Sequence, residues 1–165
     1  MALQTLPFMA NVKLHLNLIF KINYRENRLS FFYALLVFNL LIPLTISIVF
    51  YLIMFLLAGS SSFDYDTAFS SILVYLIVIF LYGIFALLVM ITAAVRRLHD
   101  LGQSGWVALW LFLASIILSF VYIGSNITLG FTLYLGFTLY LLLANTKAEA
   151  HRFSELSNPF LIETK

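Results

Sequence analysis

Residues 31–58 read FFYALLVFNLLIPLTISIVFYLIMFLLA and carry no charged side chain. A hydrocarbon core of about 30 Å is crossed by about 20 helical residues. The run is longer than that, so a spanning helix here is expected to tilt or to project past the core. Pro43 interrupts it. Proline has no N–H to offer the carbonyl of Asn39, so a kink is expected between Asn39 and Pro43. Thr45, Ser47 or a neighbouring helix is expected to satisfy that carbonyl.

Three further apolar runs follow, at about 71–94, 105–123 and 127–144. The whole chain of 165 residues is 63% hydrophobic and 10% charged. Soluble domains hold about 25% charged residues, so there is too little polar surface here to face water. The expected fold class is all-α: an integral membrane protein of four transmembrane helices. The expected organisation is a cytoplasmic amphipathic segment over 1–30, a transmembrane domain over 31–144 and a cytoplasmic tail over 145–165. The first twelve residues lack a basic start, so the run at 31–58 is expected to remain as an anchor rather than act as a cleaved leader. Asp66 or Thr67 is expected to cap the second helix. Gly124, Ser125 and Asn126 alone separate the last two runs, which requires a helical hairpin. Ser115 and Ser119 in the third run form a small-xxx-small pair suited to close helix approach. LGFTLY occurs at 129–134 and again at 135–140. Six residues advance a helix by about 600°, so the two copies face different ways and read as a local duplication.

Charge placement sets the orientation. All nine Lys and Arg fall in three segments: before residue 31, at Arg96 and Arg97, and after residue 144. With four spans these segments share one side, and the positive-inside rule makes it the cytoplasm, with both termini there. Val12–Ile22 (VKLHLNLIFKI) alternates apolar and polar residues, which permits a strand. An isolated strand beside a membrane leaves its edges unpaired, so an interfacial helix is the expectation.

Candidate chemistry concentrates at 96–106, RRLHDLGQSGW. Arg96 and Arg97 suit a helix C-terminus and can snorkel to phosphates. Gly102 suits a left-handed turn, Ser104 a helix cap and Trp106 an interface, with Gly105 completing the loop. His99 and Asp100 are not needed for a turn. This stretch resembles the RRLHDxGxSGW hallmark of the domain of unknown function 805 family of bacterial inner-membrane proteins. Arg25-x-x-Arg28-x-x-Phe31 resembles the family's GRxxRxxYW motif, with Tyr24 in place of the Gly and Phe32 in place of the Trp. The tail HRFSELSNPF is similar to the family's NRYGPNP ending at Arg152, Phe153, Asn158 and Pro159. The resemblance spans about residues 20–160 and implies a four-helix protein of the bacterial inner membrane. It implies no activity.

Arg25, Arg28, Arg96 and Arg97 are expected at the cytoplasmic headgroup level, where guanidinium groups bind phosphates bidentately. With His99 and Asp100 they form the candidate site for an anionic headgroup or an acidic partner. Asp100 pairing with Arg25 or Arg28 is the alternative, locking the N-terminal segment over the bundle. No catalytic set is expected: His99 and Asp100 are adjacent on a helix and point apart. His15, His99 and His151 are scattered and there is no Cys, so neither metal nor cofactor is expected. The net charge of +2 does not point to nucleic acid. The leading expectation is a non-enzymatic protein that binds membrane lipid or accompanies a larger complex, as a homo-oligomer or with a protein partner. An oligomeric channel or transporter involving Asn39 and Pro43 is the second reading, and an enzyme using the RRLHD segment the third.

Overall fold

A computed structural model describes residues 2–58, 64–121, 128–146 and 151–164. Five helices account for most of it: α1 (Phe8–Asn17), α2 (Arg28–Ala58), α3 (Tyr65–Asp100), α4 (Trp106–Val121) and α5 (Thr128–Leu143). α2 and α3 are each long and apolar enough to cross a membrane, and α4 and α5 are shorter apolar helices. α4 packs against α5, as a hairpin requires. The connection through Gly124–Asn126 lies outside the described residues, as does the side chain of Ser119. Ser115 bonds the Leu111 carbonyl of its own helix.

The all-α expectation needs one correction. Strand β1 (Ala2–Thr5) pairs antiparallel with β2 (Leu161–Thr164). Both strands lie outside Val12–Ile22, the segment whose alternation permits a strand, and none forms there. The pairing also draws the two ends of the described chain together. Along the chain, α1 lies between β1 and the long helices; of the helix expected over Val12–Ile22, residues 12–17 are helical and 18–22 are not. Its polar residues Asn11 and His15 face inward and are fully buried, while Met9 and Lys13 are exposed. The four-residue spacing of Asn11 and His15 places them on one helix face. Of VKLHLNLIFKI only the first six residues are helical, and His15 is the polar residue among them that the fold buries.

Pro43 acts as expected in kind but not in detail. Leu36–Leu41 form a π-helical turn within α2. The Ile42 N–H bonds the Val37 carbonyl, five residues back. In that register the donor missing at Pro43 belongs to Phe38, not Asn39. The Phe38 carbonyl instead accepts the hydroxyl of Tyr82 on α3. Thr45 and Ser47 do not take this role; they bond back to Leu41 and Pro43 of their own helix at 2.8 Å each. At the start of α3 the cap is Asp64, whose carboxylate accepts the Thr67 N–H at 2.8 Å, rather than Asp66 or the Thr67 side chain.

The repeated LGFTLY copies meet different surroundings. Gly130, Phe137 and Thr138 are buried while Gly136, Phe131 and Thr132 are exposed. Tyr134 accepts from Asn39 on α2, and Tyr140 accepts from Gln103.

A candidate functional site at the end of α3

RRLHD is not loop but the last helical turn of α3, and every residue from Thr92 to Asp100 is buried. The true loop is Leu101–Gly105. It opens with a Schellman motif. Gln103 N–H bonds the Leu98 carbonyl at 2.8 Å, Gly102 N–H bonds the His99 carbonyl at 3.0 Å, and Gly102 has φ 74°. Only glycine takes that conformation without strain. Gly105 is needed for a different reason. A Cβ there would lie 2.5 Å from Val95 Cγ1, so the chain entering α4 runs hard against α3. Ser104 contributes its carbonyl, which accepts from Val107 N–H. Trp106 is exposed, as is Trp110 one turn on.

The two arginines point to different neighbours, as successive helical residues about 100° apart must. Arg96 donates through one terminal nitrogen to the carbonyls of Leu18 (3.0 Å) and Lys21 (3.3 Å), just past the end of α1. Its Nε donates to Glu26 at 2.9 Å. Arg97 donates from Nε to the Leu141 carbonyl at 3.0 Å and from a terminal nitrogen to the Ala144 carbonyl, at the end of α5. The last carbonyls of a helix have no partner within it and carry partial negative charge. Each arginine therefore caps the C-terminus of a separate helix, and α3 ties α1 to α5.

Two carboxylates balance the pair. Asp100 accepts Arg25 on one oxygen (3.0 and 3.2 Å), and Arg97 and Thr146 on the other (2.6 Å each). Glu26 is fully buried and accepts from Arg96, His15 (2.8 Å) and Ser30 (3.2 Å). The other His15 nitrogen donates to the Asn11 carbonyl at 2.9 Å. Both ring nitrogens thus face acceptors. Burial alone would raise the Glu26 pKa, but the charges and hydrogen bonds of His15 and Arg96 outweigh it and hold the carboxyl below its ordinary value. Burial, and then the charge of Asp100 acting the other way, leave Arg97 shifted down from the usual guanidinium range.

His99 sits apart from this charge. Its Nδ1 lies 3.3 Å from the Tyr24 carbonyl, and its ring stacks on Phe153 at 4.3 Å. Burial lowers its pKa, assisted by the charge of Arg152. The tail completes the enclosure. Ser157 and Ser154 offer carbonyls to Arg25, and buried Phe160 lies against His15 and under Arg96.

Of the six candidate residues, the structure brings Arg25, Arg96, Arg97, His99 and Asp100 into one closed junction. The Asp100–Arg25 lock anticipated as the alternative is present. Arg28 stands outside, exposed, beside a recess of about 250 Å³ lined by Asn27, Leu29, Ala144, Asn145 and Thr146. Sequence reasoning missed Glu26, His15 and Asn11. A signal for Glu26 exists: it is the one carboxylate in the first 60 residues, among four basic ones. Among the described residues no three of His, Cys, Asp and Glu are grouped to hold a metal.

This is a helical protein with two membrane-length apolar helices and a buried, ion-paired junction where the longer one ends. The chain belongs to the family described as Protein of unknown function (DUF805), whose model matches residues 19–155. That match takes in Arg25, Glu26, Arg96, Arg97, His99 and Asp100, while His15, Ser157 and Phe160 lie outside it. Comparison with curated proteins and with solved structures finds no match in either.

Proposed function

We propose that this is a four-span, non-enzymatic protein of the bacterial inner membrane that binds anionic lipid headgroups at its cytoplasmic junction. Four features support the placement. None of Ile42–Ala58 is buried, and Ile72, Val74, Phe80 and Leu81 of α3 are exposed, as side chains facing acyl tails would be. The charged end of α3 is instead enclosed by both ends of the chain. β1 and β2 pair, so the ends lie on one side of the bundle. The basic residues make that side cytoplasmic under the positive-inside rule.

The observation that carries headgroup binding is the charge balance at the junction. Three arginines, Arg25, Arg96 and Arg97, meet two carboxylates, Glu26 and Asp100, and a fourth, Arg28, stands beside them with no carboxylate of its own among the described residues. Arg28 is the arginine left open, at the start of α2 and beside a polar recess. Burial is the main cause that lowers the pKa of Arg97, and the charge of Arg28 adds to it in a smaller degree. An anion at Arg28 would relieve this repulsion, and guanidinium geometry favours phosphate. The closed state of His99 and Asp100 supports a structural role for RRLHD over a catalytic one.

Native mass spectrometry of the full chain released from phosphatidylglycerol–phosphatidylcholine nanodiscs tests this. Retained phosphatidylglycerol is expected, falling about tenfold for Arg28→Ala, the loss of one charge-assisted contact. Equal retention of both lipids by both proteins would sink the reading. Reporter fusions after residues 62 and 125 are expected to read periplasm, and after 102 and 165 cytoplasm.

A further inference from the structure

A second feature lies far from the junction. The π-helical turn of α2 sets Asn39 at the edge of a pocket of about 800 Å³ between α2, α3, α4 and α5. Phe38, Met90, Phe112 and Phe131 provide apolar walls, and Asn39, Tyr82 and Tyr134 provide polar groups. Asn39 donates one N–H to the Tyr134 oxygen at 2.9 Å. That leaves the Asn39 carbonyl, its second N–H and the Tyr134 O–H without a partner among the described residues. Tyr82 is already committed to the Phe38 carbonyl. π-Helical turns recur at functional sites, and polar side chains within a membrane are costly unless partnered.

Depth selects the occupant, on the membrane placement proposed above. Asn39 lies eleven residues into α2, about 16 Å from its start along the axis. That is near the middle of a hydrocarbon core about 30 Å thick. A charged headgroup is excluded at that depth by its desolvation cost. No charged side chain lines the pocket either. An uncharged lipid with a carbonyl or hydroxyl head meets both conditions: its tail matches the apolar walls and its head matches one acceptor and two donors. We propose that the Asn39 pocket binds an uncharged membrane lipid whose head carries a carbonyl or hydroxyl group.

The test uses the full chain in phosphatidylcholine nanodiscs and three photoactivatable probes: a diacylglycerol, a benzoquinone with an isoprenoid tail, and an alkane with no head. The first two distinguish the sources of the head chemistry. Saturable labelling of the 79–90 or 130–134 peptides by either is expected, with the alkane failing to saturate. Asn39→Leu and Tyr134→Phe are each expected to weaken it about tenfold, the effect of one hydrogen bond in a dry site. Gly83→Leu guards against a folding artefact. Gly83 lines the pocket, and a Cβ there meets nothing within 4 Å, so a side chain can enter the space from that position. It is expected to abolish labelling while the helical spectrum and elution volume are retained. Alkane labelling equal to that of the other probes, or labelling unchanged by all three variants, overturns the proposal. Phosphatidylglycerol retention at Arg28 is read separately, so failure of the headgroup reading and failure of the pocket are distinct results.

Discussion

The two ends of α3 obey opposite rules. From Tyr65 to Phe85 large apolar side chains such as Tyr65, Phe69 and Phe80 are exposed, and none is fully buried. From Thr92 to Asp100 every residue is buried, including two arginines, a histidine and an aspartate. In water the hydrophobic effect would enclose the first half and expose the second. The inversion means that exposure of apolar surface carries no penalty along one part of the helix, whereas charge must be taken up by protein along the other. On the membrane reading the first part has lipid for a solvent, so helix packing there rests on van der Waals fit and a few hydrogen bonds. The second part is held by ion pairs and by helix carbonyls that need donors. The two regions should therefore answer differently to the same kind of substitution.

The largest effect is expected at Glu26. Glu26→Ala leaves Arg96 charged, fully buried and without its carboxylate. Breaking a buried pair from one side costs about 3–5 kcal/mol. Unfolding monitored by circular dichroism in mild detergent should show it. The paired change Glu26→Leu with Arg96→Met should cost less than Glu26→Ala, although Arg96 also caps α1. A loss below about 1 kcal/mol for Glu26→Ala would mean the junction is wet and the contrast between the two regions false.

Gly105→Ala comes next. The new methyl group would meet Val95 Cγ1 at 2.5 Å, and valine has no long flexible chain to swing aside. Overpacking of this kind costs about 1–3 kcal/mol. Adding Val95→Ala should restore much of the loss. If it does not, α4 is placed by something other than its contact with α3.

These two residues also mark what the sequence discloses and what it hides. The long helices follow from run length, because a stretch such as 31–58 without charge has few alternatives. Gly102 was legible because glycine after a basic helix end signals a left-handed turn. The consequence of Pro43 was half legible: a missing N–H is certain from the residue. Which carbonyl goes unpaired depends on the π-helical turn, and its rescue on Tyr82, 44 residues away. The double cap by Arg96 and Arg97 was hidden for a plainer reason. Its acceptors are backbone carbonyls at Leu18, Lys21, Leu141 and Ala144, and a carbonyl leaves no trace in residue identity. The strands were hidden too, since four residues at each end pair only with one another. Of the candidate site, the members could be read but not their closure. Burial of an arginine depends on what distant segments wrap around it.

A pH dependence probes the edge of the junction. His99 has its pKa lowered in the folded chain, first by burial. The folded state thus binds fewer protons here than the unfolded state does. Its contribution to stability is complete above the unfolded value of about 6.5 and is lost as pH falls toward the lower folded value. Midpoints from pH 8 to pH 5 should decline, and His99→Gln should flatten that part of the curve. Glu26 acts in a lower window, since its folded pKa lies below 4.5. Its contribution is present above that value and disappears as pH falls through the folded pKa. A wild-type curve that rises on acidification toward pH 5 would contradict the burial of His99.

The smallest effect is expected where hydrogen bonds serve the apolar region. Tyr82→Phe removes the donor to the Phe38 carbonyl and leaves the ring in place. Were this carbonyl buried in the junction, its loss would cost up to about 3 kcal/mol. Between apolar helices in lipid, single side-chain hydrogen bonds average about 0.6 kcal/mol, because the unfolded helices also find partners within the membrane. The π-helical turn offers such an alternative: a shift toward α-helical register would change which carbonyl lacks a donor. Tyr82→Phe should thus lower stability by about a fifth of the Glu26→Ala effect or less. The two measured side by side test the division of α3 directly. Comparable losses would show that the hydrogen bond behind Pro43, and not the charged junction alone, holds α2 against α3.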